Sequence, residues 1–161
     1  MVDRQDKQIG TAEREECHKL PGKLHRAIMM VVKNKQSFSS NKKGEILLAR
    51  RSENKPLWPG VWDGTIATHV FPGETPEQAA RRGLKKELGV SNLSLNNLGN
   101  FIYKAKWGND GVEYEFCHLF LAEAEETVPN PEEITETAWV SKDELTNYSL
   151  TPWFIESLRF L

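Results

Sequence analysis

Several residue types and patterns that define whole classes of protein are scarce in this sequence. Its 161 residues include only two cysteines, which is too few for a disulfide framework. No apolar run approaches the roughly 20 residues that a membrane-spanning helix requires. The N-terminal stretch is polar and has no hydrophobic signal core, so we expect a cytoplasmic protein.

An excess of charge of one sign is also missing. The 21 Lys and Arg residues nearly balance the 23 Asp and Glu residues, and the formal net charge is −2. Nothing in this balance favours nucleic acid or an anionic membrane as a partner, and we expect neither. An apolar content of 39% suits a single globular domain. We therefore expect a polar lead-in over 1–15, one domain over 16–161, and a monomer or weak dimer.

Runs rich in aliphatic and β-branched residues predict the strands of a sheet. They cover 27–32, 45–50, 65–70, 99–107, 112–122 and, more briefly, 137–141. Residues 36–43 are expected to form an exposed hairpin connection between the first two runs. Proline and glycine predict a loop over 55–64, and the tetrapeptide Gly108–Asn109–Asp110–Gly111 predicts a tight turn between the two longest strands.

The clearest helix signal begins at Thr75. Thr75 can cap the helix, Pro76 suits its first turn, and Gln78 completes a capping box. Gly89 is a natural end for this helix. Gly83, in its interior, is unfavourable by about 1 kcal/mol relative to alanine unless a close contact requires it.

Two further helix starts are predicted in the C-terminal part of the chain. Ser141 and Glu144 form a second capping box, and Thr151–Pro152 can open a final helix. Strands and helices mixed in this order predict an α/β (α+β) fold with a mixed sheet between helices.

The segment HVFPGETPEQAARRGLKKELGV resembles a Nudix box. Six of its residues fit the family pattern: Glu74, Arg82, Leu84, Glu87, Gly89 and Val90. Three positions depart from it, because Thr68, just before the segment, replaces a glycine, and Gly83 and Lys86 replace glutamates. In Nudix hydrolases such glutamates hold the magnesium ions that activate water, so these departures argue against ordinary hydrolase chemistry.

A more specific resemblance covers nearly the whole chain. It is to the type 1 isopentenyl-diphosphate isomerases, which keep the Nudix fold and lose those glutamates. Four further segments carry it, in the family's order: ECHKLPGKLHRA, LLARRSENKPLWPGVW, GVEYEFCHLF and TPWF. The resemblance implies a Nudix fold and the interconversion of isopentenyl and dimethylallyl diphosphate.

The resemblance also implies a metal site of three histidines and two glutamates: His18, His25, His69, Glu113 and Glu115. Imidazole and carboxylate ligands suit Mg²⁺, Mn²⁺ or Zn²⁺. Glu113 and Glu115 are two residues apart on a predicted strand, so both point to the same face. A second Mg²⁺, bridged by the substrate, would use Glu87. Without a metal, these would be ordinary core or surface side chains.

For the diphosphate, the resemblance implies Arg14, Arg51 and Lys55 as binding residues. Arginine can bind phosphate oxygens in bidentate fashion, and lysine adds a mobile point charge. One further basic residue of the family falls at Gly83, and the neighbouring Arg81 or Arg82 are candidates to compensate.

The implied carbon chemistry requires proton transfer on both faces of the substrate and stabilisation of a tertiary carbocation. By resemblance, Glu115 aided by Tyr103 acts on one face, and the ring of Trp153 stabilises the cation. On the opposite face the family uses a cysteine, and that position is Ala67 here. Alanine cannot carry a proton.

Three functions remain open at this point. The first is an isomerase that uses another group or a water on the Ala67 face. The second is a metal-dependent diphosphate hydrolase of Nudix type, and the third is a catalytically impaired member that only binds a prenyl diphosphate. All three imply a small prenyl or related diphosphate as the partner.

Overall fold

A mixed β-sheet organises the protein in the computed structural model, which describes residues 1–35 and 44–161. Its seven described strands are β1 (His25–Asn34), β2 (Ile46–Arg51), β3 (Trp62–Asp63), β4 (Ile66–His69), β5 (Asn96–Trp107), β6 (Gly111–Ala124) and β7 (Ile134–Val140). The helices are α1 (Arg14–His18), α2 (Pro76–Leu88) and α3 (Pro152–Ser157), with 3₁₀ helices at Lys142–Asn147 and Leu158–Phe160. The predicted connection over 36–43 lies outside the described residues.

The predicted strands are confirmed, with changes at their ends. The short strand β3 forms inside the segment predicted as a loop over 55–64, because Trp62 and Asp63 pair with β2. Residues 134–140 form a longer strand than the predicted one, paired along almost all of β2. The turn after Trp107 is confirmed by the pairing of Trp107 with Gly111. Local patterns do not reveal these extensions, since cross-strand pairing determines them.

The centre of the sheet is β1, which pairs with β6 in parallel and with β4 antiparallel. In this register His25 lies opposite Glu115 and Ala27 opposite His69, while Tyr103 on β5 also lies opposite Glu115. Polar side chains of four strands, β1, β4, β5 and β6, therefore meet at one end of the sheet.

The two faces of β1 bury alternate side chains, as the period of a strand requires. Ile28, Met30 and Val32 pack in one cluster with α2, whereas Met29 and Val31 pack in a second cluster with Trp153 and Phe154 of α3. The sheet thus lies between helices, as predicted.

Helix α2 has the predicted boundaries. Thr75 and Gln78 form the reciprocal capping box, and Gly89 ends the helix in the left-handed conformation with φ of 65°. A Cβ atom at Gly83 would lie 3.0 Å from Ile66 Cγ2 on β4. A close contact that accounts for a glycine at this position is therefore present. The capping box at Ser141 and the start of α3 after Thr151 are confirmed as well.

The N-terminal segment packs against the domain. Val2 is buried and bonds through its amide to the Leu24 carbonyl, and the side chain of Asp6 lies 2.7 Å from Arg26 Nε. Helix α1 begins at Arg14 and so crosses the predicted boundary at residue 15. None of the helices in the described part of the chain is long and apolar enough to cross a membrane.

Candidate metal and diphosphate site

Three histidines from three different elements converge at the end of the sheet. His18 ends α1, His25 begins β1 and His69 ends β4. The Nε2 atoms of His18 and His69 are 3.1 Å apart. Glu113 joins them from β6, and one ligand atom from each of the four residues lies within 4.8 Å of all the others. Glu115 reaches the same point, with Oε1 3.4 Å from Nε2 of both His25 and His69.

The chemistry of these side chains fits a divalent cation. Nδ1 of His25 lies 2.8 Å from the Lys23 carbonyl, a contact that directs Nε2 into the cluster. That Nε2 atom and Glu113 Oε2 are both buried, and neither has a hydrogen-bond partner among the described residues. Buried polar atoms without partners are rare in proteins and call for an explanation such as an ion. The five residues predicted as ligands therefore lie together at this end of the sheet.

The ionisation of Glu115 and that of the adjacent histidines affect each other. Burial alone would lower the pKa of His25, but the adjacent Glu115 carboxylate raises it overall. Burial opposes ionisation of Glu115, yet contacts with His25 and His69 hold its pKa well below the usual range. Glu115 is therefore ionised in this arrangement.

The first prediction concerns the histidine cluster, which consists of His18, His25 and His69 with Glu113 and Glu115. We expect His69→Ala to lower the affinity for Mn²⁺ or Zn²⁺ at least about tenfold, since loss of one ligand opens the site. Metal content after dialysis and titration calorimetry would measure this. His118→Ala is the matched control, because His118 lies 2.9 Å from Asp6 instead and Arg26 still holds Asp6. Equal metal content in the wild-type protein and the His69→Ala variant would contradict the site.

The other predicted site residues line a cavity beside the three histidines. They are Arg14, Arg51, Lys55, Ala67, Tyr103, Glu87 and Trp153, together with Glu113 and Glu115. Within it the Tyr103 hydroxyl donates to Glu115 Oε2 at 2.5 Å. The rings of Tyr103 and Trp153 lie 5.7 Å apart between centroids. A carboxylate, a phenol and an indole therefore line the same cavity.

Ala67 lies on the wall of this cavity, on β4. Residues 67 and 69 are on the same face of the strand, so a side chain at 67 points to the side of His69. The methyl group of Thr68 faces Gly83 of α2 on the other side. The methyl group of Ala67 thus stands where the resemblance implies a proton-carrying thiol.

Of the two arginines predicted to bind the diphosphate, Arg51 is largely engaged in hydrogen bonds within the protein. Arg51 donates from Nε to the Trp58 carbonyl at 3.0 Å and from Nη2 to the Leu57 carbonyl at 2.8 Å. These bonds hold the Trp-Pro-Gly turn, in which Trp58 has a left-handed φ of 49°. Arg51 lines the cavity, but part of its role is to fix this turn.

The two arginines considered as substitutes for a cation at Gly83 differ in position. Arg81 pairs with Glu77 on the exposed surface and lies outside the residues described as lining the cavity. Arg82 lines the cavity but donates to Glu74 and to the His69 carbonyl. The geometry gives no support to Arg81 as a compensating group.

Asp63 is a site residue that the sequence reasoning missed. Trp153 Nε1 lies 2.9 Å from its carboxylate, the Thr151 hydroxyl donates to it at 2.8 Å, and Arg51 Nη1 lies 3.4 Å away. Burial raises the pKa of Asp63 despite these partners. Its position after Trp62 in the loop was the only signal. Asp63 fixes the indole of Trp153 against the cavity.

Glu87 and Glu133 are the remaining acidic groups on the cavity wall. Burial raises the pKa of Glu87 to about 7, partly offset by Lys55. Burial would also raise the pKa of Glu133, but hydrogen bonds from Lys55 and Lys86 lower it to about 2. Glu133 belongs to no motif, so sequence reasoning had no basis for selecting it.

Comparison with known proteins gives the family. The NUDIX domain family matches residues 23–160. An isopentenyl-diphosphate Delta-isomerase from Corynebacterium diphtheriae is 33% identical over 99% of this chain and 90% of its own length. One from Streptomyces griseus is 39% identical over 98% and 80%, and one from Haloarcula marismortui is 35% identical over 98% and 87%.

Solved structures agree on the fold. A Deinococcus radiodurans protein matches with a TM-score of 0.77 and 22% identity, covering 98% of this chain and 94% of its own. A MutT protein from Methanosarcina mazei matches with a TM-score of 0.68 and 22% identity, over 88% and 96%. The chain therefore belongs to the NUDIX family and, within it, to the isopentenyl-diphosphate Delta-isomerase family. The predicted fold class and family resemblance are confirmed.

Proposed function

We propose that this protein interconverts isopentenyl and dimethylallyl diphosphate, with a divalent metal in the histidine cluster. The observation that carries the proposal is the Tyr103–Glu115 hydrogen bond of 2.5 Å inside a cavity that Trp153 also lines. A hydrogen-bonded phenol–carboxylate pair on the cavity wall can hold a proton within reach of a bound carbon chain, as this proton-transfer chemistry requires.

The reaction moves one proton on and another off the substrate. The π electrons of the isopentenyl double bond form a new C–H bond at the terminal methylene, which leaves a tertiary cation. The electrons of a C–H bond next to the cation then form the new double bond. The Tyr103–Glu115 pair supplies the proton to one face or takes it away, and the Trp153 ring stabilises the cation through its π face.

Two kinds of group would bind the diphosphate end of the substrate: metal ions held by histidines and acidic residues, and the positively charged side chains of the protein. His18, His25, His69, Glu113 and Glu115 would hold Mg²⁺, Mn²⁺ or Zn²⁺, and Glu87 would hold a substrate-bridging Mg²⁺. A bound divalent ion would neutralise negative charge on the carboxylates and diphosphate. Arg14 and Lys55 contribute positive charge from the chain itself, and Arg51 does so while holding its turn.

The face of Ala67 has no proton-carrying side chain at that position. Under the isomerase proposal, a water molecule or another group takes the proton there. The same residue favours the second candidate, a Nudix-type diphosphate hydrolase, because hydrolysis needs no thiol. Gly83 and Lys86 oppose hydrolysis, since they leave α2 without two of the family's glutamates. A protein that only binds a prenyl diphosphate is the third candidate.

One assay separates these candidates. The protein is incubated with Mg²⁺ and isopentenyl diphosphate, and the products are identified by mass and NMR. We expect dimethylallyl diphosphate. Inorganic phosphate with isopentenyl monophosphate would instead identify a hydrolase, and binding without turnover would identify an impaired member.

A further inference from the structure

Two lysines from distant parts of the chain meet at one carboxylate on the cavity wall. Lys55 forms an ion pair with Glu133 Oε2, and Lys86 on α2 lies 2.5 Å from Glu133 Oε1. All three residues line the cavity. Two positive charges share one negative charge, so this group keeps a surplus of one positive charge beside the space for substrate.

Two of the three arginines that line the cavity, Arg51 and Arg82, are less available than these lysines. The guanidinium of Arg82 donates from Nε to Glu74 and from Nη2 to the His69 carbonyl. Arg51 is similarly engaged with the carbonyls of Trp58 and Leu57. Turning either group fully toward an anion would break hydrogen bonds that hold the fold. Lysine has a long flexible stem and a compact charge, so it can change partners more easily.

Helix α2 carries a lysine at position 86 near its crowded position 83. At position 83 a Cβ would already lie 3.0 Å from Ile66 Cγ2, so a side chain there would have to displace that methyl group. Position 86 is three residues further along, on nearly the same side of the helix. There the Lys86 side chain is more than half exposed, with a relative accessibility of 59%, and it reaches the cavity.

We propose that Lys86 binds the diphosphate together with Lys55, and that Glu133 is a positioning residue that holds both ammonium groups at the cavity. The inference rests on the proposed function to the extent that the cavity takes a diphosphate. Glu133 uses one oxygen for each lysine, and phosphate oxygens would engage the same two ammonium groups when the substrate binds.

Direct binding tests this assignment without relying on turnover. Titration calorimetry with Mg²⁺ present would give Kd for inorganic pyrophosphate and for isopentenyl diphosphate. We expect Lys86→Met to raise both Kd values about tenfold, the usual range for one charge-assisted contact. Lys86→Arg should recover most of the affinity. Lys85→Met is the matched control, because Lys85 is exposed on the same helix and its Kd should change less than about twofold.

Measuring Lys86→Met in a protein that also carries Glu133→Gln distinguishes direct contact of Lys86 with the diphosphate from a supporting role through Glu133. If Lys86 acts on the diphosphate, Lys86→Met also raises Kd when Glu133 is already Gln. If Glu133→Gln instead restores the wild-type Kd to the Lys86→Met variant, Lys86 acts only by neutralising Glu133 and the inference is overturned. Unchanged Kd in Lys86→Met, with normal binding by the wild-type protein, overturns the inference but leaves the proposed function intact. A wild-type protein that binds neither probe refutes the diphosphate site itself.

Discussion

Glu115→Gln is expected to lower the rate of isomerisation at least about 10³-fold, because general acid–base groups contribute up to about four orders of magnitude. The substitution leaves the shape of the side chain but removes its ability to accept a proton. It also weakens the contacts of Oε1 with His25 and His69, each 3.4 Å long. Steady-state rates with isopentenyl diphosphate, and metal content measured on the same samples, would show both effects.

Glu123→Gln on the exposed end of the same strand is the matched control for Glu115→Gln. We expect it to keep the wild-type rate and metal content. A Glu115→Gln variant that retained more than about a tenth of the wild-type rate would remove Glu115 from the proton transfer.

Ala67→Cys is expected to raise the isomerisation rate about 10²-fold, the lower range for one added acid–base group. The side chain at 67 lines the same cavity as Tyr103 and Glu115, and a thiol there can exchange a proton that a methyl group cannot. Rates at saturating isopentenyl diphosphate would measure the gain.

Ala67→Ser provides the comparison for size and polarity, since its hydroxyl is far too weak an acid to replace the thiol. We expect a gain with cysteine and little or none with serine. If Ala67→Cys stays at the wild-type rate while it still binds metal and diphosphate, the cavity is not arranged for proton transfer on that face.

Local signals predicted much of the fold. The capping box of Thr75 and Gln78 and the end at Gly89 depend on residues within a few positions of each other, so the sequence alone defines α2. The parallel pairing of β1 with β6 depends on residues some 90 positions apart, such as His25 and Glu115. No local pattern contains that information, and the proposed metal ligands came from the family resemblance instead.

The residues that sequence reasoning missed also depend on contacts between distant parts of the chain. Asp63 acts on Trp153, and Glu133 acts on Lys55 and Lys86, across long stretches of chain. A lone acidic residue in a loop resembles any solvated surface group until the fold buries it. Arg51 differs from these residues, because its motif did indicate a role, in diphosphate binding. The structure adds a structural role, since Arg51 also donates a hydrogen bond to the Trp58 carbonyl.

The central claim is that this cavity adds and removes protons on the carbon chain of a prenyl diphosphate despite Ala67. The most direct test incubates the protein with Mg²⁺ and isopentenyl diphosphate in deuterium oxide and follows the carbon-bound hydrogens by NMR. We predict dimethylallyl diphosphate that carries deuterium in a methyl group, formed at the terminal methylene. Isopentenyl diphosphate recovered without deuterium, or cleaved to a monophosphate and phosphate, would contradict the account.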